Sequence, residues 1–494
     1  MFRPSRRSFI TSMAAIPFAV WLKKHAAAQP PVIRYSARSV QGQAMLAKYA
    51  NAVKTMKDTA EGDPKNWIFQ WYTHWVRRDR TKAAEIARVY ADPSTPQRAL
   101  AEEIWNTCQS HFLPPEFQKY FLPWHRMYVY FFERIVRRVS GDAEFSLPYW
   151  EYSTPEPANH RAIPSEFRMP SDATFKWLFV DNRNVGVNDG HPIDQGQFGN
   201  PLGLDSLLEC TYEPQGVKPG FCRRIDRGLH GQVHVLVGDP ENMGDVPWAA
   251  RDPIFWLHHC NIDRLWASWN RAGRQNPTDS QWLSKPFVFA DENGNRVSAT
   301  VDDVVNTEKL GYTYDQFETV PTCPSLGPLI ASAASIQTRA TVPLGAVTLG
   351  ANPVRVTLTP PSESGLTPVP LTARVRNLPT SRRLYLVLRN LRAEAQPGIL
   401  YQLYIDLPAG TTAGRGTSYR VGTLNFFDAV GHNVHPSTAV NASLDFFSFD
   451  VTDVMKRLHS RSQLKATPTL SIVPVGKPNI DSKPVIGEIT LVEQ

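Results

Sequence analysis

Leu229 to Trp266 reads LHGQVHVLVGDPENMGDVPWAARDPIFWLHHCNIDRLW, and within it stand His230, His234 and the adjacent pair His258 and His259. His230 and His234 are spaced i, i+4, so on a helix their imidazoles lie one above the other on the same face and can hold one metal ion. By itself such a pair is more often an ordinary surface or core feature. A short loop later, however, Phe255 to Arg271 repeats apolar residues at three- and four-residue intervals, which predicts a second helix that brings a third imidazole to the first two.

Upstream the chain offers a second group: His74 in FQWYTHWVRR, His111 in TCQSHFLPP and His125 in FLPWHRMYVYFFERI. Three neutral imidazoles per group in aromatic surroundings suit copper, a borderline-soft ion that changes charge state. Calcium and magnesium want oxygen donors, and structural zinc more often recruits thiolates. Two such groups facing each other make a dinuclear centre.

These segments resemble the type-3 copper proteins, the family of tyrosinases, catechol oxidases and hemocyanins, with plant-type polyphenol oxidases nearest. FLPWHR resembles the first copper site; HGQVH and DPIFWLHHCNIDRLW resemble the second. QWLSKPFVFADENGNRVSATVDDVVNTEKLGYTYD, with Tyr312 and Tyr314, resembles the end of the plant catalytic domain, and FFSFDV at Phe446 to Val451 a stretch of its C-terminal domain. The resemblance implies two copper ions, with His74, His111 and His125 on copper A and His230, His234 and His259 on copper B. His259 is chosen over His258 because Asp252, Pro253, Phe255, His259 and Asp263 fit the family pattern, which leaves His258 a packing or supporting role. Asp263, one turn further on, either orients an imidazole or forms a buried ion pair with Arg264 or another base.

The chain departs from the pattern in places. The family's middle copper A histidine stands nine residues before the last, a slot filled by Glu116; His111 stands fourteen before, which requires a longer loop. A carboxylate is a hard donor for a soft site, so His111 is favoured. The resemblance raises a Cys108–His111 thioether, although the spacing differs from the relatives'. Three residues besides the ligands are implied as catalytic. Asp226 occupies the place of a glutamate that holds a water for deprotonating monophenols; the alternative is a surface pair with Arg223 or Arg227. Gly231 replaces an asparagine frequent in strong hydroxylases, and Val246 a bulkier gate residue, unless it merely packs. The expected activity is oxidation of phenolic substrates by O2, with o-hydroxylation of monophenols and oxidation of o-diphenols. Catechol oxidation alone and hemocyanin-like oxygen binding are the alternatives.

The chain has 494 residues, 42% of them hydrophobic, with 13 Trp and 24 Phe, enough for a large core. Of its net charge of +7, five units come from Arg3, Arg6, Arg7, Lys23 and Lys24 in residues 1–28, where there is no acid. The rest is nearly neutral, so the electrostatic footprint of nucleic-acid binding is missing. Residues 1–28 read as a twin-arginine signal: Arg6-Arg7, an apolar run too short to span a bilayer, and Ala26-Ala27-Ala28 as a cleavage site. The expected partner is the twin-arginine export machinery, with a periplasmic or secreted destination and no membrane span in the mature chain. Of the five cysteines, Cys210 and Cys222 flank a short loop and form the expected disulfide, two free buried thiols being the alternative.

The expected fold is α + β and multidomain. A mainly helical, four-helix-bundle dicopper domain spans 29–320. A small-residue and proline linker covers 321–345, and an antiparallel β-sandwich or barrel over 346–494 is expected to shield the copper site. His160 and His191 fall in loops, and His432, His435 and His459 in the β region, where they are read as structural.

Overall fold

The computed structural model describes residues 16–17, 31–108, 115–154, 158–323, 336–342, 345–361, 369–411, 414, 416–431 and 446–494. All but Ile16 and Pro17 of the signal segment, together with His111, His432 and His435 and the Glu116 side chain, lie outside this description.

The N-terminal part is built on helices and long loops. Val40–Asp58 starts at Ser39, whose hydroxyl accepts the Gly42 N–H, the capping that a helix's orphan donors require. Trp67–His74 is short and buried along almost its whole length. Phe121–Ser140 carries Pro123 in its first turn, where a missing N–H costs nothing, and ends at Gly141 with φ +69°, the left-handed stop that glycine adopts without a Cβ penalty. Ile254–Arg271 begins at Asp252-Pro253. The buried Asp252 carboxylate accepts the Ile254 N–H at 3.0 Å and a two-pronged Arg183 contact at 2.7 and 2.8 Å, and so fixes where this helix starts.

The two long helices Phe121–Ser140 and Ile254–Arg271 are tied together by a buried charge network. Asp263 accepts from Arg126 and, at 3.3 Å, from Arg34, while the hydroxyls of Tyr312 and Tyr314 each donate to it at 2.6 Å. Asp263 therefore forms the buried ion pair with other bases, and Arg264 turns to Glu318 at 2.6 Å. The two guanidinium groups outweigh burial and hold the Asp263 carboxyl below its ordinary value. Tyr312 and Tyr314 reach it because their strand, Tyr312–Tyr314, pairs in parallel with Val32–Arg34.

The C-terminal part is two antiparallel sheets. One orders Arg420–Leu424, Leu400–Ile405, Thr469–Val475 and Val354–Thr357; the other orders Phe446–Asp450, Leu384–Arg392, Val485–Glu493 and Gln337–Thr341. Leu386, Leu388, Leu403, Ile405, Leu470 and Ile472 form one apolar core. Gln337–Thr341 lies within the stretch read as a linker, yet it is a strand, because Val485–Glu493 offers it a free edge to pair with. The disulfide expectation is also corrected: Cys210 bonds Cys323, and Cys222 is a buried free thiol. Cys222 packs under the Gln118 carbonyl, so the short loop between Cys210 and Cys222 does not bring their sulfurs together. No helix among the described residues is long and apolar enough to cross a membrane.

Candidate metal centre

His230 closes a wide turn, Asp226–His230, and Gly231–Val237 continues from it as a helix, so the i, i+4 pair survives with ring centroids 4.6 Å apart. With His258 and His259 these residues form one buried cluster whose donor atoms lie within 4.8 Å of one another. His74, Cys108 and His125 form a second cluster. The two face each other across His125 and His259, whose rings stack at 4.3 Å and 10°.

Most of these imidazoles are oriented through one nitrogen. His125 Nδ1 meets the Phe121 carbonyl at 2.8 Å and His234 Nδ1 the Met243 carbonyl at 2.8 Å. His230 Nδ1 faces Asp226, 3.1 Å from its carboxylate and 3.3 Å from its carbonyl, and His258 Nδ1 lies 2.8 Å from the Tyr152 hydroxyl. Anchoring one ring nitrogen turns the other toward the shared space, as supporting partners of metal-bound histidines do. The Nε2 atoms of His234 and His258 and both nitrogens of His259 are buried without a hydrogen-bond partner among the described residues. Leaving such atoms unsatisfied costs about 1–3 kcal/mol each. Burial, reinforced by the neighbouring imidazoles, pushes His234, His258 and His259 well below the ordinary histidine pKa, so they stay neutral lone-pair donors. This donor set fits copper.

The remaining expected residues are distributed as follows. Cys108 Sγ sits 3.5 Å from His125 Nε2. Asp226 is buried beneath His230 and makes no surface pair; Arg227 instead pairs with Asp428 at 2.8 Å. Val246 is fully buried at the start of the short helix Val246–Ala249, whose preceding residue Asp245 is held by Arg78 at 2.8 Å, so it lines no open entrance in this arrangement. His160 lies 3.6 Å from Glu151, away from both clusters.

Gly231 acquires a meaning the sequence does not carry. A Cβ at this position would stand 2.8 Å from Asn425 Oδ1, and Asn425, from the C-terminal part, donates to the Arg227 carbonyl at 2.8 Å. Two residues on, Phe427 lies flat on His234, centroids 4.2 Å apart at 15°. Gln396 donates to the Phe427 carbonyl at 2.7 Å. Asn425, Phe427 and Asp428 were not foreseen: NFFDAVG carries no periodic or motif signal that sets it apart from other strand-flanking turns.

Two facing sets of buried histidines on a helical core define a dinuclear copper protein of the type-3 class. Residues 94–214 and 205–272 match the common central domain of tyrosinase, 276–322 the polyphenol oxidase middle domain, and 339–494 a domain of unknown function, DUF7868. Tyrosinase HcTyr1 of Hahella sp. (strain CCB-MM4) is 34% identical over 292 residues, covering 54% of this chain and 60% of that protein. Chloroplastic polyphenol oxidase II of Ipomoea batatas is 30% identical over 307 residues, covering 55% and 47%. The chain thus spans about half the length of the curated relatives it matches. In fold it is similar to latent aurone synthase (TM-score 0.61, 20% identity, 94% of this chain and 89% of that one) and to latent apple tyrosinase (TM-score 0.59, 21% identity, 94% and 98%). Residues 94–272 thus carry the central domain of tyrosinases and residues 276–322 the middle domain of polyphenol oxidases, and the two histidine clusters fit a dinuclear type-3 copper centre.

Proposed function

We propose that the chain oxidises phenols with O2 at two copper ions, hydroxylating monophenols to o-diphenols and oxidising o-diphenols to o-quinones. Copper A takes His74, His111 and His125; copper B takes His230, His234 and His259, with His258 close enough to support or replace His259. The observation that carries the reading is the pair of facing imidazole clusters with buried, unsatisfied nitrogens on His234, His258 and His259.

When bound, the copper pair supplies the electron transfer that reduction of O2 by phenols requires. An o-diphenol gives up two electrons and two protons to become the quinone. The protein holds the imidazoles in register through the Phe121 and Met243 carbonyls, Tyr152 and Asp226, and surrounds them with Phe121, Phe255 and Trp124, which exclude water. Asp226 is the carboxylate nearest the copper B helix for handling a monophenol's proton. Its engagement with His230 and the absence of a side chain at Gly231 favour the second reading, catechol oxidation only. Parallel assays of the copper-loaded chain on L-tyrosine and L-DOPA decide: activity on both supports hydroxylation, activity on L-DOPA alone leaves a catechol oxidase, and activity on neither overturns the enzyme reading.

The C-terminal sheets act as a shield, with Phe427 as the side chain over copper B. Cleavage within 321–345 is then expected to raise the oxidase rate, and an unchanged rate removes latency. Residues 1–28 direct the folded protein through the twin-arginine machinery to the periplasm or beyond. Replacing Arg6 and Arg7 with Lys and following the protein in cell fractions tests this: continued export rules out the twin-arginine route.

A further inference from the structure

Three cysteines stand outside the disulfide, and two of them face oxygen. Cys222 Sγ lies 3.6 Å from the Gln118 carbonyl and Cys260 Sγ 3.4 Å from the Leu147 carbonyl, and burial pushes both thiols up to about 12. Cys108 faces imidazoles instead. It is fully buried, and its sulfur groups with His74 and His125, the donor atoms lying within 4.8 Å of one another. The backbone puts it there. After the helix Pro96–Ile104, Asn106 takes the left-handed conformation (φ +60°) that asparagine tolerates. The Asn106 and Thr107 N–H groups then donate to the Tyr72 and Thr73 carbonyls at 3.0 and 3.3 Å, acceptors that the end of the helix Trp67–His74 leaves unused. Cys108 is thereby laid against the end of the helix that carries His74.

Its distance to His125 has the size that a shared ion requires. The Phe121 carbonyl occupies His125 Nδ1 at 2.8 Å, so Nε2 is the nitrogen turned toward the metal space, and Cys108 Sγ lies 3.5 Å from that nitrogen. In a tetrahedral site of a d10 ion an imidazole nitrogen stands about 2.0 Å and a thiolate sulfur about 2.3 Å from the metal, which separates the two donors by roughly 3.5 Å. In the metal-free chain the thiol can donate to Nε2 across the same gap; the ion takes the proton's place, and the proton leaves to solvent. A thiolate is also a softer donor than imidazole, prefers cuprous copper, and brings the negative charge that a buried cation needs. The facing cluster of His230, His234, His258 and His259 holds imidazoles alone.

We propose that Cys108 binds copper A through its sulfur as a thiolate, beside His74 and His125, and that it makes copper A the first site to capture cuprous copper. The proposal rests on the copper reading of the two clusters. It gives Cys108 an open thiolate in place of the thioether to His111 that the family resemblance raises. The two halves of the centre are then unequal: the first equivalent of cuprous copper goes to the sulfur-containing site, and the second fills the all-imidazole site.

The test is X-ray absorption at the copper edge on the full chain loaded anaerobically with one and then two equivalents of cuprous copper. A sulfur scatterer at about 2.3 Å is expected on the first equivalent, at half its weight per copper after the second, and absent from Cys108→Ser. Cys108→Ser should also give up its first equivalent to a cuprous chelator at least about tenfold more readily, the least that a residue supporting a metal contributes. Circular dichroism checks its fold; should it not fold, the sulfur signal in a chain carrying both Cys222→Ser and Cys260→Ser identifies Cys108 without it. Copper bound through nitrogen alone, a sulfur signal that survives Cys108→Ser, or a reduced chain lighter than its sequence by two hydrogens, as a thioether requires, overturns the proposal and leaves the copper reading standing. A chain that holds no copper overturns both.

Discussion

Phe427 lies parallel to His234, 15° from coplanar with centroids 4.2 Å apart, although the two residues belong to different parts of the chain. A ring in that position covers one face of a copper B candidate ligand. Truncation in Phe427→Ala is expected to raise the L-DOPA oxidation rate of the unclipped, copper-loaded chain by roughly two- to tenfold, the worth of one aromatic stacking contact. Steady-state rates with and without cleavage of the linker region measure it, and a variant as slow as the parent sinks the shielding role of this ring.

Gly231 permits the approach of Asn425, which a Cβ would meet at 2.8 Å. Gly231→Asn is therefore expected to loosen the C-terminal part and speed its removal by limited proteolysis several-fold. If glycine were present only for substrate selection, the variant would shift the L-tyrosine to L-DOPA ratio and leave the proteolysis rate alone.

Asp226 stands 3.1 Å from His230 Nδ1. Supporting carboxylates of this kind typically contribute about 10–100-fold in metal affinity. Asp226→Asn is accordingly expected to release copper to a competing chelator at least about tenfold more readily. Unchanged copper retention with selective loss of L-tyrosine activity would instead assign Asp226 to the substrate's proton.

Asp263 anchors Arg126, Arg34, Tyr312 and Tyr314 at the heart of the bundle. Removing one partner from such a network leaves buried charge uncompensated, so Asp263→Asn is expected to lose about 3–5 kcal/mol of stability. The Asp263 and Glu133 carboxyls are both held below their ordinary values, by Arg126 and Arg34 and by Arg34 and Arg137 respectively. Their contribution is fully present above the ordinary carboxylate range and disappears as the pH falls through the depressed values. Denaturant titrations from neutral to acid pH should show the parent's stability falling toward that of the variant.

Cys210 and Cys323 close a long loop, with a sequence separation of 113. Peptide mapping without reduction should recover these two cysteines linked, with Cys108, Cys222 and Cys260 alkylated only after unfolding. Recovery of a Cys210–Cys222 peptide would overturn this pairing.

The histidines were legible because their chemistry and spacing are local. The i, i+4 step of His230 and His234, the Asp252-Pro253 start of the next helix and the aromatic helix after His125 each describe a few consecutive residues, and short-range geometry carries them into the fold. The change from helical to alternating apolar pattern likewise announced the two sheets. Cys222 shows the limit. A short loop made it the natural partner of Cys210, but only packing decides which sulfurs meet.

By itself the sequence picked out the histidines as candidate copper ligands and the main helical and alternating segments, since both follow from residue type and periodicity. Only the tertiary structure decided what supports and covers them: Asp226 under His230, Tyr152 beside His258, Asn425 against Gly231 and Phe427 over His234. Those contacts join segments far apart in the chain, where burial and chain closure, not local propensity, select the partner.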